Sequence, residues 1–463
     1  MNRTTKILSA SAAALLLAAC NSSSSPEPQQ PPTPPPPVGE FELRVHHASA
    51  DAPAVNITVN GDNFLEAVDY QVSSGLAVVD EGTYDVGVDA ILPDNSTVTV
   101  IGPLSLDLEA DTRYDVFALG RVDDETLEPF IVANDISEVG SGNARLQVLH
   151  GVPVDLTVDV YLTAFGADLS AEQPAATLAY KDHTGQVEVA GGDYQIRITV
   201  AGDADAVVFD SGEITLPAGA DLFVAATPSV GANSGDRPIA LLIADGEGSA
   251  VLHSVDAGAN ARVIHAVADA PAVDVLVNDD AVLTEVPFLA FSGYLNLPAD
   301  TYNIKVNAAG TDVTVIDVDL PVENAQQYSI LAVGELGGDG IAPAVLLEDN
   351  RRITTAAIVR IIHASPTAGL VDIYVTATDD ISDASPAFEG VDFDASALQA
   401  TGNVALPPGE YYVTVTLSGT KDAAIGPLLL DLQGGGLYTA IAVDATTGGL
   451  PPQLIVLDDF VTE

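Results

Sequence analysis

The sequence predicts an all-β protein built as four tandem β-sandwich domains. A histidine motif recurs four times, with spacings of 103, 115 and 98 residues, at His47, His150, His265 and His363. A period of about 100 residues is the size of one small sandwich. Each copy continues with alternating apolar and polar residues, which is typical of half-buried strands. The 39 glycines and 29 prolines favour a chain with many turns over a helical one.

The composition of the chain excludes several classes of protein. Its 463 residues include 66 Asp and Glu against 15 Lys and Arg, which gives a formal net charge of −51. Because nucleic-acid affinity comes mainly from cationic side chains, no nucleic-acid partner is expected. Hydrophobic residues make up 47% of the chain, which is enough for several cores and argues against a disordered polyanion. The single cysteine excludes a disulfide within the chain.

The first element is a predicted lipoprotein signal peptide over residues 1–19. A short positive region with Arg3 and Lys6 precedes an apolar run of thirteen residues, which is typical of a secretory signal and too short to span a bilayer. The run ends in Leu-Ala-Ala-Cys at Cys20, which resembles the lipobox of bacterial lipoproteins. The only cysteine of the chain therefore stands where that family carries its lipid. A plain secretory signal with a coincidental cysteine is the alternative.

The resemblance to lipoproteins also implies a location. In Gram-negative lipoproteins an Asp directly after the lipidated Cys favours the inner membrane, and this chain has Asn21 there. We therefore expect a lipid-anchored cell-envelope protein on the outer membrane of a Gram-negative bacterium, with Cys20 as the membrane attachment. Residues 20–40, rich in Pro and Ser, are a predicted extended tether that holds the folded part away from the membrane.

Four sandwich repeats follow the tether, with predicted boundaries at 41–138, 143–246, 259–349 and 356–463. We call the four recurrent histidines the marker histidines. Nine positions after each of them, a polar residue interrupts an apolar run, at Asn56, Asp159, Asp274 and Asp372. A turn and a strand that begins with tyrosine come later in each repeat, at Tyr84, Tyr194, Tyr302 and Tyr411. A second such strand begins near Tyr114, Tyr328 and Tyr438, and the second repeat has Leu222 at this position.

Two resemblances follow from these motifs. The segment from Leu108 to Tyr114 resembles the tyrosine corner of immunoglobulin and fibronectin-type sandwiches, in which the hydroxyl bonds a nearby backbone group. The string His-Ala-Ser-Ala-Asp-Ala-Pro-Ala-Val-Asn-Ile-Thr-Val-Asn-Gly, from His47 to Gly61, resembles the bacterial domain-of-unknown-function 4397 family. This resemblance covers nearly all of residues 41–460 as four copies. It implies immunoglobulin-like sandwiches in a secreted or surface protein, with no established activity.

The recurrent histidine is the first candidate for chemistry. It lies two positions after an apolar strand residue, as His47 follows Val45, and side chains two positions apart in a strand point to the same face. The histidine is therefore expected to point into the sandwich. We expect a buried imidazole bonded to a backbone carbonyl or a tyrosine hydroxyl, since catalytic machinery seldom recurs in each of four unlike copies. Neither a Gly-x-Ser-x-Gly nor a His-Glu-x-x-His motif is present, so no enzyme is expected.

Acidic residues gather where the repeats join, and Asp135, Asp245 and Asp349 are weak candidates for Ca²⁺ ligands. Ca²⁺ prefers oxygen ligands, and ions at the joints would stiffen a tandem array. No spaced Asp-x-Asp-x-Asp-Gly loop is present, however, and no other cofactor is expected. The alternative is an acidic surface that keeps a Val-rich protein hydrated.

The expected function is a non-enzymatic structural or adhesive array of repeats in the cell envelope, with an unidentified protein or glycan as partner. The second hypothesis is an envelope binding module for a small ligand or glycan, and the third is a hydrolase. The lack of Trp and the aromatic content of 5% weaken a sugar-binding platform. A pocket within one repeat that holds a His with a carboxylate and a hydroxyl would favour the hydrolase.

Overall fold

A computed structural model describes residues 38–461 except 339, 396 and 447. The predicted signal peptide, Cys20 and the tether up to residue 37 therefore lie outside the described residues. Within the described part of the chain, no helix combines the length and the apolar composition needed to cross a membrane.

Repeat 1 consists of eight strands separated by the turns that the sequence predicts. They are β1 Glu40–His47, β2 Val55–Val59, β3 Asp62–Val68, β4 Ala77–Asp80, β5 Gly82–Ile91, β6 Thr97–Leu108, β7 Thr112–Leu119 and β8 Glu128–Asp135. They form two sheets, in the orders β4-β1-β7-β8 and β3-β2-β5-β6. Strands β1 and β7 are parallel, and the other neighbours are antiparallel.

Repeat 2 has the same topology with one strand more. Its strands are β9 Asn143–His150, β10 Val158–Thr163, β11 Ala176–Leu178, β12 Val187–Ala190, β13 Gly192–Val200, β14 Val207–Leu216, β15 Asp221–Pro228, β16 Ile239–Ala244 and β17 Ser249–His253. A 3-10 turn at Leu169–Ala171 precedes β11. The sheets have the orders β12-β9-β15-β16-β17 and β11-β10-β13-β14.

Repeats 3 and 4 return to eight strands each. Repeat 3 contains β18 Ala259–His265, β19 Val273–Val277, β20 Asp280–Val286, β21 Leu295–Leu297, β22 Asp300–Ala308, β23 Thr314–Val322, β24 Gln327–Glu335 and β25 Gly340–Glu348. Repeat 4 contains β26 Ala357–His363, β27 Val371–Thr376, β28 Phe388–Val391, β29 Val404–Leu406, β30 Gly409–Leu417, β31 Ala423–Leu432, β32 Leu437–Val443 and β33 Gln453–Asp458. Their sheets are β21-β18-β24-β25 with β20-β19-β22-β23, and β29-β26-β32-β33 with β28-β27-β30-β31.

The predicted all-β architecture of tandem sandwiches is confirmed, and the strand order gives it detail. An immunoglobulin constant domain has seven strands in two sheets, whereas each repeat here has at least eight and joins its first strand to its seventh in parallel. One boundary differs from the prediction. Repeat 2 extends past residue 246, because β17 pairs antiparallel with the otherwise open edge of β16.

In the sheet that contains the first strand of each repeat, the two central strands are largely buried on both faces, and the edge strands are partly exposed. One face packs on the second sheet of its own repeat, and the other packs on the matching sheet of a neighbouring repeat. The 1–2 interface consists of Ala48, Phe117, Leu119, Val132, Leu149, Phe223, Ala225 and Leu242. The 3–4 interface consists of Ile264, Ala266, Leu331, Val333, Ala344, Ile362, Ala364, Ile441, Val443, Ile455 and Leu457. The four sandwiches therefore form two face-to-face pairs.

The two pairs also contact each other through loops. Arg351, between repeats 3 and 4, donates to the carbonyl oxygen of Ala50 in repeat 1 at 2.9 Å and lies over the ring of Tyr70. Between repeats 2 and 3, the amide of Ala232 donates to the carbonyl of Ala325 at 3.0 Å. Contacts thus join repeats that are distant in the sequence as well as successive ones.

Candidate functional site

The four marker histidines end the first strand of each repeat and close the loop that follows it. Each Nε2 lies 2.8–3.0 Å from a carbonyl oxygen six residues later, on Pro53, Leu156, Pro271 and Gly369. In repeats 2 to 4, Nδ1 accepts the amide of the residue two positions on. Because Nδ1 accepts there, Nε2 carries the proton and donates it to the carbonyl. Each of these four imidazoles is at most 2% exposed.

The electrostatics of the marker histidines match this geometry. Burial lowers the pKa of all four below its usual value, although the hydrogen bond to the carbonyl opposes the change. For His47 burial lowers the pKa to about 4. In repeats 2 to 4 a neutral imidazole directs both nitrogens at the main chain and has no lone pair left for a metal or a substrate proton. In repeat 1, His47 Nδ1 is buried without a hydrogen-bond partner. The marker histidines therefore hold in place the loop between β1 and β2 and the matching loops of repeats 2 to 4.

The polar residue nine positions further on also bonds the main chain. The pairs are Asn56 with the amide of Ala67, Asp159 with the hydroxyl of Thr177 and the amide of Gly202, Asp274 with the amides of Glu285 and Gly310, and Asp372 with those of Gly390 and Gly419. In repeats 3 and 4 each carboxylate thus joins an edge strand to a hairpin. These backbone donors hold the pKa of Asp274 below its usual range.

The repeated tyrosines also form hydrogen bonds with the main chain. The first set donates its hydroxyl to a carbonyl four residues earlier, at Tyr84, Tyr194, Tyr302 and Tyr411. The second set accepts an amide from five residues earlier, at Tyr114, Tyr328 and Tyr438. This second contact is the hydrogen bond that the resemblance to a tyrosine corner implies.

The three candidate Ca²⁺ ligands lie in separate structural settings. Asp245 accepts the amides of Glu247 and Gly248 in its own turn, and Asp349 accepts the amide of Arg351. Asp135 is exposed at the end of β8. In the part of the chain that the structure describes, no group of three or more His, Cys, Asp or Glu is arranged to hold a metal ion.

A buried polar cluster that the sequence analysis does not single out lies at the 1–2 interface. His46 Nδ1 is 2.7 Å from Ser73 Oγ, and His46 Nε2 is 3.0 Å from Asp115 Oδ1. The same carboxylate oxygen accepts from Arg44 Nε at 2.7 Å. The imidazole stacks on Phe117 with ring centroids 4.0 Å apart. Charged and polar groups thus occupy the centre of an otherwise apolar contact between two sheets.

Burial, hydrogen bonding and the charge of Arg44 together set the protonation states within this cluster. Burial lowers the pKa of His46, although Asp115 opposes the change. For Asp115 burial raises the pKa, but hydrogen bonding from His46 and the charge of Arg44 outweigh it, and the net pKa is lowered. Near neutral pH a neutral imidazole therefore lies between a hydroxyl and an ionised carboxylate.

Ser73, His46 and Asp115 are the three groups of a hydrolytic triad, but they are sealed from solvent. Ser73 is 5% exposed and the other two are 1% exposed. The cavity that His46 borders lies inside repeat 1 and measures about 30 Å³, which is room for water and not for a substrate. The arrangement therefore resembles a triad in composition and lacks the open site that acyl transfer needs.

Comparison with known proteins gives one family. The family model described as "Domain of unknown function (DUF4397)" matches residues 41–161, 145–251, 259–374 and 357–463. A search of curated proteins finds no match. Among solved structures, the chain is similar to one titled "Product complex of a multi-modular glycogen-degrading pneumococcal virulence factor SpuA", with 10% identity and a TM-score of 0.17. The similarity covers 82% of this chain and 35% of the other, and at this TM-score it supports no argument.

Proposed function

The chain belongs to the domain of unknown function 4397 (DUF4397) family through four tandem repeats, and from this premise we propose a non-enzymatic, lipid-anchored cell-envelope protein whose paired sandwiches form a structural or adhesive body. The family description names no activity, so the proposal rests on the residues themselves. The observation that carries it is the use of the recurrent polar side chains. The histidines, carboxylates and tyrosines that mark the repeats bond their own main chain.

The absence of an accessible catalytic group at the repeated motif supports the non-enzymatic part of the proposal. An active site must present a nucleophile, acid or base to a substrate. The marker histidines are buried and neutral, and the cluster of Ser73, His46 and Asp115 is closed by the packing of repeat 2 on repeat 1. These main-chain hydrogen bonds give the recurrent motif a structural role in each repeat.

The charge distribution supports attachment through a lipid. Among the described residues, each Lys and Arg bonds a protein oxygen, for example Lys421 with the carbonyls of Ile381 and Ala384. A surface dominated by carboxylates is repelled by anionic lipid headgroups. Membrane binding of such a protein therefore requires a covalent anchor, and Cys20 is the residue proposed to carry it.

The anchor is tested with the full chain and its Cys20→Ser variant in a Gram-negative host. Cells are grown with an alkyne-labelled fatty acid, and the label and the membrane fraction are followed for both chains. We expect the unaltered chain and the control Ser24→Ala to be labelled and membrane-bound, and Cys20→Ser to be unlabelled and released. Label on Cys20→Ser, or an unlabelled soluble wild type, would contradict the anchor.

The structural or adhesive role needs a separate readout. Cells with the unaltered chain are expected to adhere to a surface, or to resist detergent, better than cells with Cys20→Ser at equal expression. Purified full chain is also tested for hydrolysis of p-nitrophenyl esters, and no turnover is expected. An esterase activity that Ser73→Ala abolishes would replace this proposal with the hydrolase.

A further inference from the structure

A cavity of about 370 Å³ lies where repeat 1 meets the segment between repeats 3 and 4. Repeat 1 contributes Pro53, Asp69 and the turn around Leu92, and the opposite side is formed by residues 349–358 with Asn403. Cavities inside the sandwiches of repeats 1, 2 and 3 measure about 100 Å³ or less. The volume at this junction falls in the range of small-molecule sites, which are common between domains.

The charges that line this cavity favour a cation. Its cationic residue, Arg351, is already used, because the guanidinium pairs with Asp69 and donates to the carbonyls of Ala50 and Ala52. Asp349 is exposed and forms no ion pair with a Lys or Arg of the described residues. The lining therefore carries one carboxylate in excess. The net charge of −51 further disfavours an anionic ligand.

The remaining lining is apolar apart from two amides and Thr355, whose hydroxyl is buried without a hydrogen-bond partner. Ile91, Leu92 and Pro93 stand on the side of repeat 1, and Ile353 and Ile358 stand opposite. The amides belong to Asn95 and Asn403. An apolar wall with few polar groups is suited to a ligand that has a hydrocarbon body and one polar end.

We infer that this cavity binds a small organic cation, with an ammonium group at Asp349 and a hydrocarbon body on the apolar wall. Arg351 already provides an example of a cationic group bound in this region. Its guanidinium is held beside the cavity by a carboxylate, two carbonyls and the ring of Tyr70. The inference goes beyond the structural role proposed above and does not depend on the lipid anchor.

The probe is n-hexylammonium chloride, titrated by calorimetry into the full chain. The chain carries Cys20→Ser, so that it is not lipidated and needs no detergent. The buffer contains about 0.15 M NaCl to screen general attraction to the acidic surface. We expect one binding site for n-hexylammonium and, since both charge and hydrocarbon are needed, binding of n-hexanol or KCl weaker by about tenfold or more. Equal binding of n-hexanol, or many equivalent sites, overturns the inference.

Two matched pairs of variants locate the site. Asp349→Asn keeps an oxygen for the amide of Arg351 and removes the charge, and Asp312→Asn is its control in an exposed turn of repeat 3. Leu92→Lys places an ammonium group at the wall, and Val98→Lys is its control on the exposed face of β6. We expect Asp349→Asn to weaken binding about fivefold, Leu92→Lys to abolish it, and both controls to bind as the unaltered chain does.

Thermal unfolding of each variant is measured alongside the titrations. If Leu92→Lys does not fold, the pair Asp349→Asn and Asp312→Asn decides the result, because both remove one exposed carboxylate. Equal losses in that pair would mean general attraction to the acidic surface, and the inference would be wrong.

Discussion

The 1–2 interface buries ionisable groups at positions where the 3–4 interface buries aliphatic or hydroxyl side chains. His46 corresponds to Ile264 and Ile362, and Asp115 corresponds to Ser329. The ion pairs are also arranged differently. The bond from Arg44 to Asp115 lies within repeat 1, although Arg113 also pairs across the 1–2 interface with Asp221. In the other pair of repeats, both Arg262 and Arg360 pair across the interface.

The crossing pairs of the second interface are well defined. Arg262 of repeat 3 donates to Asp458 of repeat 4 at 2.6 Å, and Arg360 of repeat 4 bonds Glu348 of repeat 3. Between repeats 1 and 2, by contrast, His46 faces the ring of Phe223. The same topology thus supports two solutions. Ion pairs cross both interfaces. The 3–4 interface is otherwise an apolar contact, whereas the 1–2 interface places a closed polar cluster of one repeat against an aromatic ring of the next.

The difference predicts which substitutions each interface tolerates least. A buried ion pair gains little net stability, but removal of one partner leaves an uncompensated charge. The 1–2 interface is therefore expected to be sensitive to polar substitutions and to acid. The 3–4 interface is expected to be sensitive to lost volume and to the loss of one partner of its own buried ion pairs.

The largest effect is expected from Asp115→Ala, which leaves Arg44 and His46 buried without their carboxylate. Loss of one partner of a buried pair costs about 3–5 kcal/mol. The matched variant Ser329→Ala removes a hydroxyl from Arg262, which keeps Asp458, and should cost about 1 kcal/mol. Urea denaturation measures both, and hydrogen exchange of β1 and β9 should locate the first loss. Equal costs would remove the contrast between the interfaces.

Leu331→Ala tests the apolar interface. Leu331 is 0% exposed between repeats 3 and 4, and truncation of a buried leucine costs about 2–5 kcal/mol. Hydrogen exchange should rise in β18 and β26 and remain unchanged in β1 and β9. The control is Val345→Ala, on a side chain that is 40% exposed, which should change stability by about 0.5 kcal/mol or less. Increased exchange in repeats 1 and 2 would contradict two separate interfaces.

Acid should weaken the 1–2 interface more than the 3–4 interface. Burial lowers the pKa of His46 below 6.5 in the folded protein, so the unfolded chain binds the proton first. The contribution of His46 to the free energy of unfolding is therefore complete above about pH 6.5 and falls as the pH drops below that value.

The variant His46→Leu isolates this part of the pH dependence. It introduces the residue type found at Leu149 and removes the titrating group. Unfolding free energy is measured from neutral to mildly acidic pH for both chains. The marker histidines remain in the variant, so a shallower slope is expected and not a flat one. Identical slopes would mean that folding does not lower the pKa of His46, and the prediction would be wrong.

The smallest effect is expected at the rim of the 1–2 interface. Lys181 of repeat 2 pairs with Glu128 of repeat 1, and these side chains are 33% and 50% exposed. An exposed ion pair contributes about 1 kcal/mol or less and is screened by salt. Lys181→Ala should therefore lower the urea midpoint slightly, and less so in high salt. A loss as large as that of Asp115→Ala would mean that the rim, and not the buried cluster, holds the repeats together.

The alternating pattern of the sequence predicts the strands and the inward direction of the marker histidines, but not the pairing of repeats. Alternation describes a strand with one buried face. In the sheet that contains the first strand of each repeat, the central strands are buried on both faces, because the matching sheet of another repeat, about 100 residues away in the sequence, covers the second face. His46, adjacent to His47, must point to that second face. A local pattern cannot show whether water or another repeat lies there.

The sequence does contain one signal that a strand is covered by a neighbouring repeat as well as by its own repeat. Strand β32 reads Leu-Tyr-Thr-Ala-Ile-Ala-Val and is buried at every position. A nearly continuous apolar run of this kind is typical of a strand covered on both sides. The Ca²⁺ candidates could not be settled in the same way, since an Asp in a turn accepts local amides whether or not an ion is near. Asp245 does so with Glu247 and Gly248.

The parallel contact between β1 and β7 sets the order of events as the chain is made. Glu42 lies beside Arg113, a separation of 71 residues. A chain that emerges from its N-terminus therefore carries a first strand without its central neighbour until most of the repeat has been synthesised or exported. Such non-local pairing slows folding and prolongs exposure of unpaired strand edges. Each repeat should therefore close only when its seventh strand arrives, so that one molecule matures in four successive steps.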